Sequence, residues 1–360
     1  MKRIKVLIAI ADLRARGGAE IFVCSLVEAL RHKPDVEVYL LTIYQGHHSS
    51  FEPLLSALGD HALCCERKRR IDLGSVRRFR KIVNAINPDV IHTHRSCMNT
   101  YNLAFGTGEK PWRIVHTIHN LPEKDIHHHD DRIKRKLDHR GMLTYVGISE
   151  QITRLSKDAF DAWHIVTINN GVVLTHPAPQ EKAYDFIIVA GFRKAKNHPL
   201  LLRAFAKVRS VHPEATLVCC GDGPTLPESK KMAHDLGCEE AIQFVGVVED
   251  VPNYLAKSRI FVLSSLYEGN PLSVIEAMDA KLPLIVPDVG GIKDVVGEGE
   301  NVILYPINDE EALTRAMLRF YEDRCLEKRG ELSYRLAQGY NIEGCAENYL
   351  ALYRSIADRR

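Results

Sequence analysis

The stretch "SSLYEGNPLSVIEAM" (264–278) sets Glu268 and Glu276 on either side of a helix start. A helix amino terminus attracts anions, because its first amides are unsatisfied and its dipole is positive there. Carboxylates near a first turn therefore have a plain structural use, complementing that dipole. They also have a chemical one. A carboxylate accepting two hydrogen bonds is the usual partner of a vicinal diol. Two of them around an amide-rich turn suit a ligand that carries hydroxyls on both sides of its phosphates. The spacing predicts a helix over 271–280, with Asn270 as N-cap and Pro271 at the first helical position.

A second group lies in "FRKAKN", where Arg193, Lys196 and Asn197 follow an apolar run and precede a helix. Two cations at a strand's carboxyl end can neutralise a departing diphosphate, unless they are merely solvated loop charges. Gly17 and Gly18 open a helix after the first apolar run, so bare backbone could approach a diphosphate or an acceptor closely; a simple turn is the other reading. Gly290 and Gly291, after the run 284–287, would allow close approach to a sugar, with a plain turn as the other reading. His92 and His94 in "IHTHR" alternate along a strand, which suits a metal pair less well than a structural or acceptor-side role. His127–His129 reads as an exposed loop, and no metal site is expected.

These residues need a scaffold, and the chain supplies one. At 360 residues, with 45% hydrophobic and 26% charged content, it suits two globular domains. Short β-branched runs alternate with amphipathic segments almost from end to end. Strands are expected over 5–10, 36–42, 90–92, 113–118 and 143–146, then over 185–190, 216–220, 242–245, 260–264, 284–287 and 302–304. Helices are expected at 19–31, 75–86, 131–140, 199–210, 227–236, 271–280 and 310–321. This is an α/β pattern of βαβ units and parallel sheets. The Pro-containing "LTHPAPQEKAYD" (174–185) breaks it, giving domains 1–175 and 176–340 and a terminal segment 341–360. That last segment is a helix with Tyr349, Leu350 and Tyr353 on one face, suited to packing back on the first domain. In doubly wound sheets, ligands bind outside the strands' carboxyl ends, so two such domains would hold a ligand in the cleft between them.

Nine cysteines show no CxxC or zinc-type spacing, and Cys219–Cys220 lies in an apolar run, as expected in a reducing cytoplasm. The apolar run from Val6 is too short for a signal peptide, and no stretch approaches a membrane span. Net charge is +2, but residues 1–175 carry +7 and residues 176–360 carry −5. The excess gathers at "ERKRR" (66–70), "RRFRK" (77–81) and "DRIKRKLDHR" (131–140). Such clusters usually solvate helix faces; three on one half point to peripheral contact with an anionic membrane leaflet or a polyanionic substrate rather than nucleic acid.

"EGNPLSVIEAM" with "PLIVPDVGGIKDVV" resembles the signature of retaining glycosyltransferases of family 4 (group 1). In the same order as in that family stand "GGAE", "PDVIHTH", "HTIHN", "NNGV", "FRKAKN", "CGDGP" and "FVGVVEDVP". The resemblance implies a GT-B fold, two Rossmann-like doubly wound domains facing across a cleft, and transfer of a sugar from a nucleotide donor with retention. It implies that Gly18, with Gly17, lies against the donor phosphates and that His119 lies near the donor sugar. Val247 or Val248 would support the nucleobase through backbone bonds, and Glu276 would hold the ribose diol. Glu268 with Gly269, Asn270, Pro271 and Leu272 would hold the sugar, while Arg193, Lys196 and Asn197 would meet the diphosphate. In many members the arginine directly follows a glycine, five residues before the lysine; Gly191 stands there in this chain, so Arg193 is assigned the role. The family is usually metal-independent, so no cofactor beyond the nucleotide-sugar, a UDP-sugar by preference, is expected. A glycan or lipid-linked acceptor in bacterial surface polysaccharide synthesis is the expected partner. The alternatives are a nucleotide-sugar epimerase of the same fold and a non-catalytic partner subunit.

Overall fold

The computed structural model describes residues 3–68, 72–108, 112–122 and 131–358. The chain divides into two compact units, Met1–Val173 with Ile342–Arg360, and Leu174–Asn341. His127–His129, Arg69 and Arg70 lie outside the described residues.

The first unit holds β1 (Ile4–Ile10), β2 (Val36–Tyr44), β3 (Ala62–Arg67), β4 (Val90–His94), β5 (Arg113–Ile118), β6 (Leu143–Gly147) and β7 (Ile165–Thr167). They form one parallel sheet in the order β3-β2-β1-β4-β5-β6-β7. β1, "IKVLIAI", is buried along nearly its whole length, as a strand covered on both faces must be. Helix Gly18–Arg31 follows it and sends Phe22, Val23, Leu26, Val27 and Leu30 inward.

The second unit holds β8 (Tyr184–Val189), β9 (Leu217–Cys220), β10 (Ile242–Gly246), β11 (Ser258–Val262), β12 (Leu284–Pro287) and β13 (Val302–Tyr305). Their parallel sheet runs β10-β9-β8-β11-β12-β13. In each sheet the order reverses once, between β1 and β4 and between β8 and β11. A reversal sends the connections on its two sides to opposite faces and leaves a crevice at the strands' carboxyl ends.

Most expected elements are present, with shifts of one or two residues. β4 runs on to His94, and β11 spans Ser258–Val262, which leaves Leu263 and Ser264 in the loop. β3 and β7 are additions at the sheet edges. β3 carries only Cys65 fully inside, so its half-polar sequence reads as loop or charge cluster. Helices at Glu52–Leu58, Cys97–Phe105, Glu150–Phe160, Val251–Ala256, Ile292–Val296 and Leu326–Ala337 are likewise additions.

The terminal helix Ile342–Ala357 belongs to the first unit. Tyr349 and Tyr353 are fully buried and Leu350 nearly so. Buried tyrosines need partners for their hydroxyls. Tyr353 meets His92 Nδ1 at 2.7 Å, and Tyr349 meets Thr117 Oγ1 at 3.0 Å. His92 Nε2 lies 2.7 Å from the same Thr117 oxygen. Both His92 nitrogens are thus occupied by protein, so this histidine ties the helix to β4 and β5 and has no lone pair to offer a metal. At the rim, Lys33 reaches Glu343 and Glu347, and Arg354 pairs with Asp35.

Two outcomes follow from this seam. Tyr353→Phe leaves His92 Nδ1 buried without its partner, at a cost of about 1–3 kcal/mol; the denaturant midpoint of the first unit should fall, and an unchanged midpoint would contradict the bond. Burial, with Lys134 and His119 nearby, lowers His116 to about 3. Its folded value lies below the unfolded one, so its stabilising effect is complete above about pH 6.5 and drains as pH falls toward 3. Each such histidine should cost about 1.4 kcal/mol per pH unit in that window. Melting followed between pH 7 and 5 should show the decline; a flat profile would count against neutral burial.

Candidate functional site

Of the predicted residues of the second unit, Arg193, Lys196 and Asn197 follow β8 and Glu268–Leu272 follow β11, the two strands at the reversal, whereas Val247 and Val248 follow the edge strand β10. After β8 the chain makes a short turn, Lys194–Lys196, and Asn197 takes a left-handed conformation (φ 49°) that starts helix His198–Val211. After β11 comes the Leu263–Asn270 loop. The two loops are laced together: Leu266 N–H donates to Ala195 O (2.8 Å) and Ser264 Oγ donates to Lys196 O (2.8 Å). The buried Tyr305 hydroxyl, from the end of β13, donates to Leu263 O at 2.8 Å.

This lacing brings Lys196 Nζ to 2.5 Å from Glu268 Oε1. The Lys196 side chain is 28% exposed and that of Glu268 8%, so water screens the pair less than it would a surface pair. Ser265 Oγ donates to the same carboxylate oxygen at 2.5 Å, fixing its direction. Ser265 is a member that sequence reading missed; a hydroxyl three residues before a glutamate is too common a pattern to single it out. From the other side, Gly290 (φ 55°) lies so close that a Cβ would stand 1.8 Å from Glu268 O. Only glycine allows this approach, so the β12 loop presses on the β11 loop through bare backbone.

Helix Leu272–Asp279 has Pro271 as its N-cap, with no side-chain capping bond. The expected Asn270 cap and Pro271 first position are therefore both one residue early. Asn270 is only 7% exposed and is drawn into the protein, while extended Pro271 (ψ 110°) carries the chain into the first turn. Gly269, Asn270, Pro271 and Leu272 are buried, and Glu276 is half-buried one turn along.

Arg193 is exposed, and its side chain has no ionic or hydrogen-bond partner among the described residues. The structure therefore brings Lys196, and not Arg193, to Glu268. Asn197 Nδ2 donates to Asn308 Oδ1 at 3.1 Å. Gly223 packs so that a Cβ would stand 2.4 Å from Phe192 O, which pins the loop carrying Arg193. Val247 is 53% exposed just past β10, and Val248 is partly covered. Among the described residues, no three His, Cys, Asp or Glu side chains stand together as a metal site would need.

In the first unit, Gly17 caps helix Gly18–Arg31 in extended conformation, and Gly18 is its first residue. A Cβ at Gly18 would meet no atom within 4 Å, so the fold itself makes no demand for glycine there. At Gly17 the space is held by the Glu20 carboxylate, which pairs with Arg95 just past β4. His119 follows β5 directly and is partly exposed. Its Nε2 lies 2.8 Å from His94 Nδ1, and the edge of Phe22 packs against its ring. Burial, with the positive Arg95, lowers His119 to about 3, so the ring is neutral near pH 7. The basic segments are mixed in character: Arg77, Arg80 and Lys81 are exposed on helix Leu73–Ile86, whereas Lys134 is only 5% exposed. No described helix is long and apolar enough to cross a membrane.

Comparison with known proteins gives this arrangement its place. Residues 16–176 match the family described as Glycosyltransferase Family 4, and residues 176–338 match Glycosyl transferases group 1. The UDP-Gal:alpha-D-GlcNAc-diphosphoundecaprenol alpha-1,3-galactosyltransferase of Escherichia coli is 26% identical over 78% of this chain and 79% of its own. The putative glycosyltransferase EpsF of Bacillus subtilis is 26% identical over 76% of each. In fold, the chain resembles Anabaena HepE, solved in complex with UDP, with a TM-score of 0.79 over 98% of this chain and 100% of that one at 16% identity. A glycosyltransferase from Rickettsia africae superposes with a TM-score of 0.80 over the whole of both chains, also at 16% identity. Two Rossmann-like parallel-sheet units of this kind make up the GT-B fold. With its two halves matched in sequence and its whole length matched in fold, the chain belongs to the group 1 glycosyltransferases of family 4.

Proposed function

We propose that the protein is a retaining, metal-independent glycosyltransferase that moves a sugar from a UDP-sugar to a glycan or lipid-linked acceptor in bacterial surface polysaccharide synthesis. The observation that carries this reading is the Lys196–Glu268 pair at the strand-order reversal of the second unit, beside an amide-rich helix start. An ammonium held by one carboxylate can take an incoming diphosphate as a further partner. Glu268 then has lone pairs available for sugar hydroxyls, with the backbone of Gly269–Leu272 beside it. Glu276 takes the ribose diol, and the backbone at Val247 and Val248 takes the base. Arg193, exposed and unpaired among the described residues, supplies the second charge on the diphosphate.

In the reaction, the bond from the anomeric carbon to the phosphate oxygen breaks while the acceptor oxygen bonds to the same face. The acceptor proton passes to the departing phosphate. Lys196 and Arg193 stabilise charge that grows on the leaving group, an effect greatest in the transition state. These two cations supply the neutralisation for which other enzymes recruit a metal ion. The activity for which the Escherichia coli relative is named, transfer of galactose from UDP-galactose to a GlcNAc-diphosphoundecaprenol acceptor, supports the donor and acceptor classes. A UDP complex of a fold relative supports the same nucleotide. The exposed Arg77, Arg80 and Lys81 suit peripheral contact with the anionic inner leaflet, where a lipid-linked acceptor is found.

The reading is tested by turnover of radiolabelled UDP-sugars. Transfer, or slow hydrolysis of the donor, supports it; isomerisation or silence across donors opposes it. Glu276→Ala should raise the donor KM about 10- to 100-fold, as expected for lost hydrogen bonds to a charged group. Turnover at saturating donor should change much less. A variant with unaltered kinetics would remove Glu276 from the site.

A further inference from the structure

We propose that His94 fixes the tautomer of His119, so that His119 presents Nδ1–H, a hydrogen-bond donor, on its free side. His94 is a positioning residue in this account. That the free side faces substrate rests on the function proposed above; the tautomer itself does not.

The argument starts from the 2.8 Å contact between His94 Nδ1 and His119 Nε2. Between two neutral rings, one proton sits on this line, and its owner decides the outer nitrogen of both. Were His119 the donor, His94 would carry its own proton at Nε2. That nitrogen is buried and meets no hydrogen-bond partner among the described residues. An orphaned buried N–H is among the rarest and costliest faults in a folded protein, and an unused acceptor lone pair is better tolerated. Around the His94 ring pack the rings of His92, at a centroid distance of 4.0 Å, and Phe22, at 6.3 Å. His92 cannot serve, because Tyr353 and Thr117 occupy both its nitrogens. The favoured arrangement has His94 Nδ1–H donating to His119 Nε2. The His119 proton then resides on Nδ1, which bonds to no described residue and is not sealed from solvent.

A neutral second proton state is enforced independently. Burial lowers His94 well below the usual histidine range, with His92, His119 and His116 opposing a charge there. Arg95 adds to the opposition at His119. A neutral Nδ1–H ring can donate to a hydroxyl or carbonyl oxygen, but it has no lone pair left to accept a proton. This side of the first unit therefore selects an oxygen acceptor of hydrogen bonds and cannot act as general base.

Long-range proton–nitrogen correlation spectra of the nitrogen-15-labelled full chain at pH 7.5 read the tautomer directly. Both His94 and His119 should be protonated at Nδ1. His94→Asn, whose carboxamide N–H stands where the Nδ1–H does, should keep His119 in that form. His94→Leu removes the donor and should populate the Nε2–H form of His119. With it, kcat/KM should fall about tenfold in the leucine variant and be largely restored in the asparagine one, the size of one lost hydrogen bond. Nε2–H on His119 in the unmodified protein, or a tautomer unmoved by His94→Leu, would overturn the assignment. A moved tautomer with unchanged turnover would uphold it and instead overturn the placement of His119 at the substrate.

Discussion

The second unit is organised around one contact, an ammonium and a carboxylate from loops 72 residues apart in sequence that meet where the strand order turns. A pair with so little exposure is stable only if its remaining hydrogen-bond capacity is used. The loops show how that is met: a serine on the carboxylate, a serine on the lysine carbonyl, a tyrosine on the strand end, and a glycine that lets the next loop close in. Replacing either charged partner would strand the other, so the pair has to be judged through ligand binding rather than by deletion. Charge held in a fixed place before the ligand arrives is what a developing diphosphate requires, since nothing need reorganise at the moment of bond breaking.

The first unit meets the same demand with neutral groups. β4 and β5 carry His92, His94 and His116, whose positive forms burial suppresses, and the returning terminal helix supplies one tyrosine hydroxyl to His92 and another to Thr117 beside it. The order of the seam matters. Tyr353 and Thr117 engage His92, which is then unable to assist His94, and His94 is left with one useful partner, His119. Distant segments thus decide what one exposed imidazole nitrogen can do.

Much of this was legible in sequence, and the failures have physical causes. Buried parallel strands such as β1 and β12 advertise themselves by runs that are almost wholly apolar, and their bounds come out nearly right. Edge strands do not, because one side of β3 meets solvent and its arginine and glutamate look like a charge cluster. The helix at Leu272 starts one residue late because burial, not capping, claimed the Asn270 side chain. Lys196 and Glu268 could be singled out from residue type and position as candidate site residues. Their contact could not, since it depends on loops brought together by the sheet. The His94–His119 link was hidden for the same reason: neighbouring strands β4 and β5 place the two rings together, and no spacing along the chain encodes that.

The central claim is that the carboxyl-end loops of the second unit bind a diphosphate. Calorimetry comparing UDP, GDP and ADP with their parent nucleosides at fixed salt tests it most directly. One diphosphate should bind with measurable heat and at least about tenfold more tightly than its nucleoside, the least that a charge-assisted contact should contribute. Equal binding of the diphosphate and its nucleoside, or no heat with any of the three pairs, would contradict it.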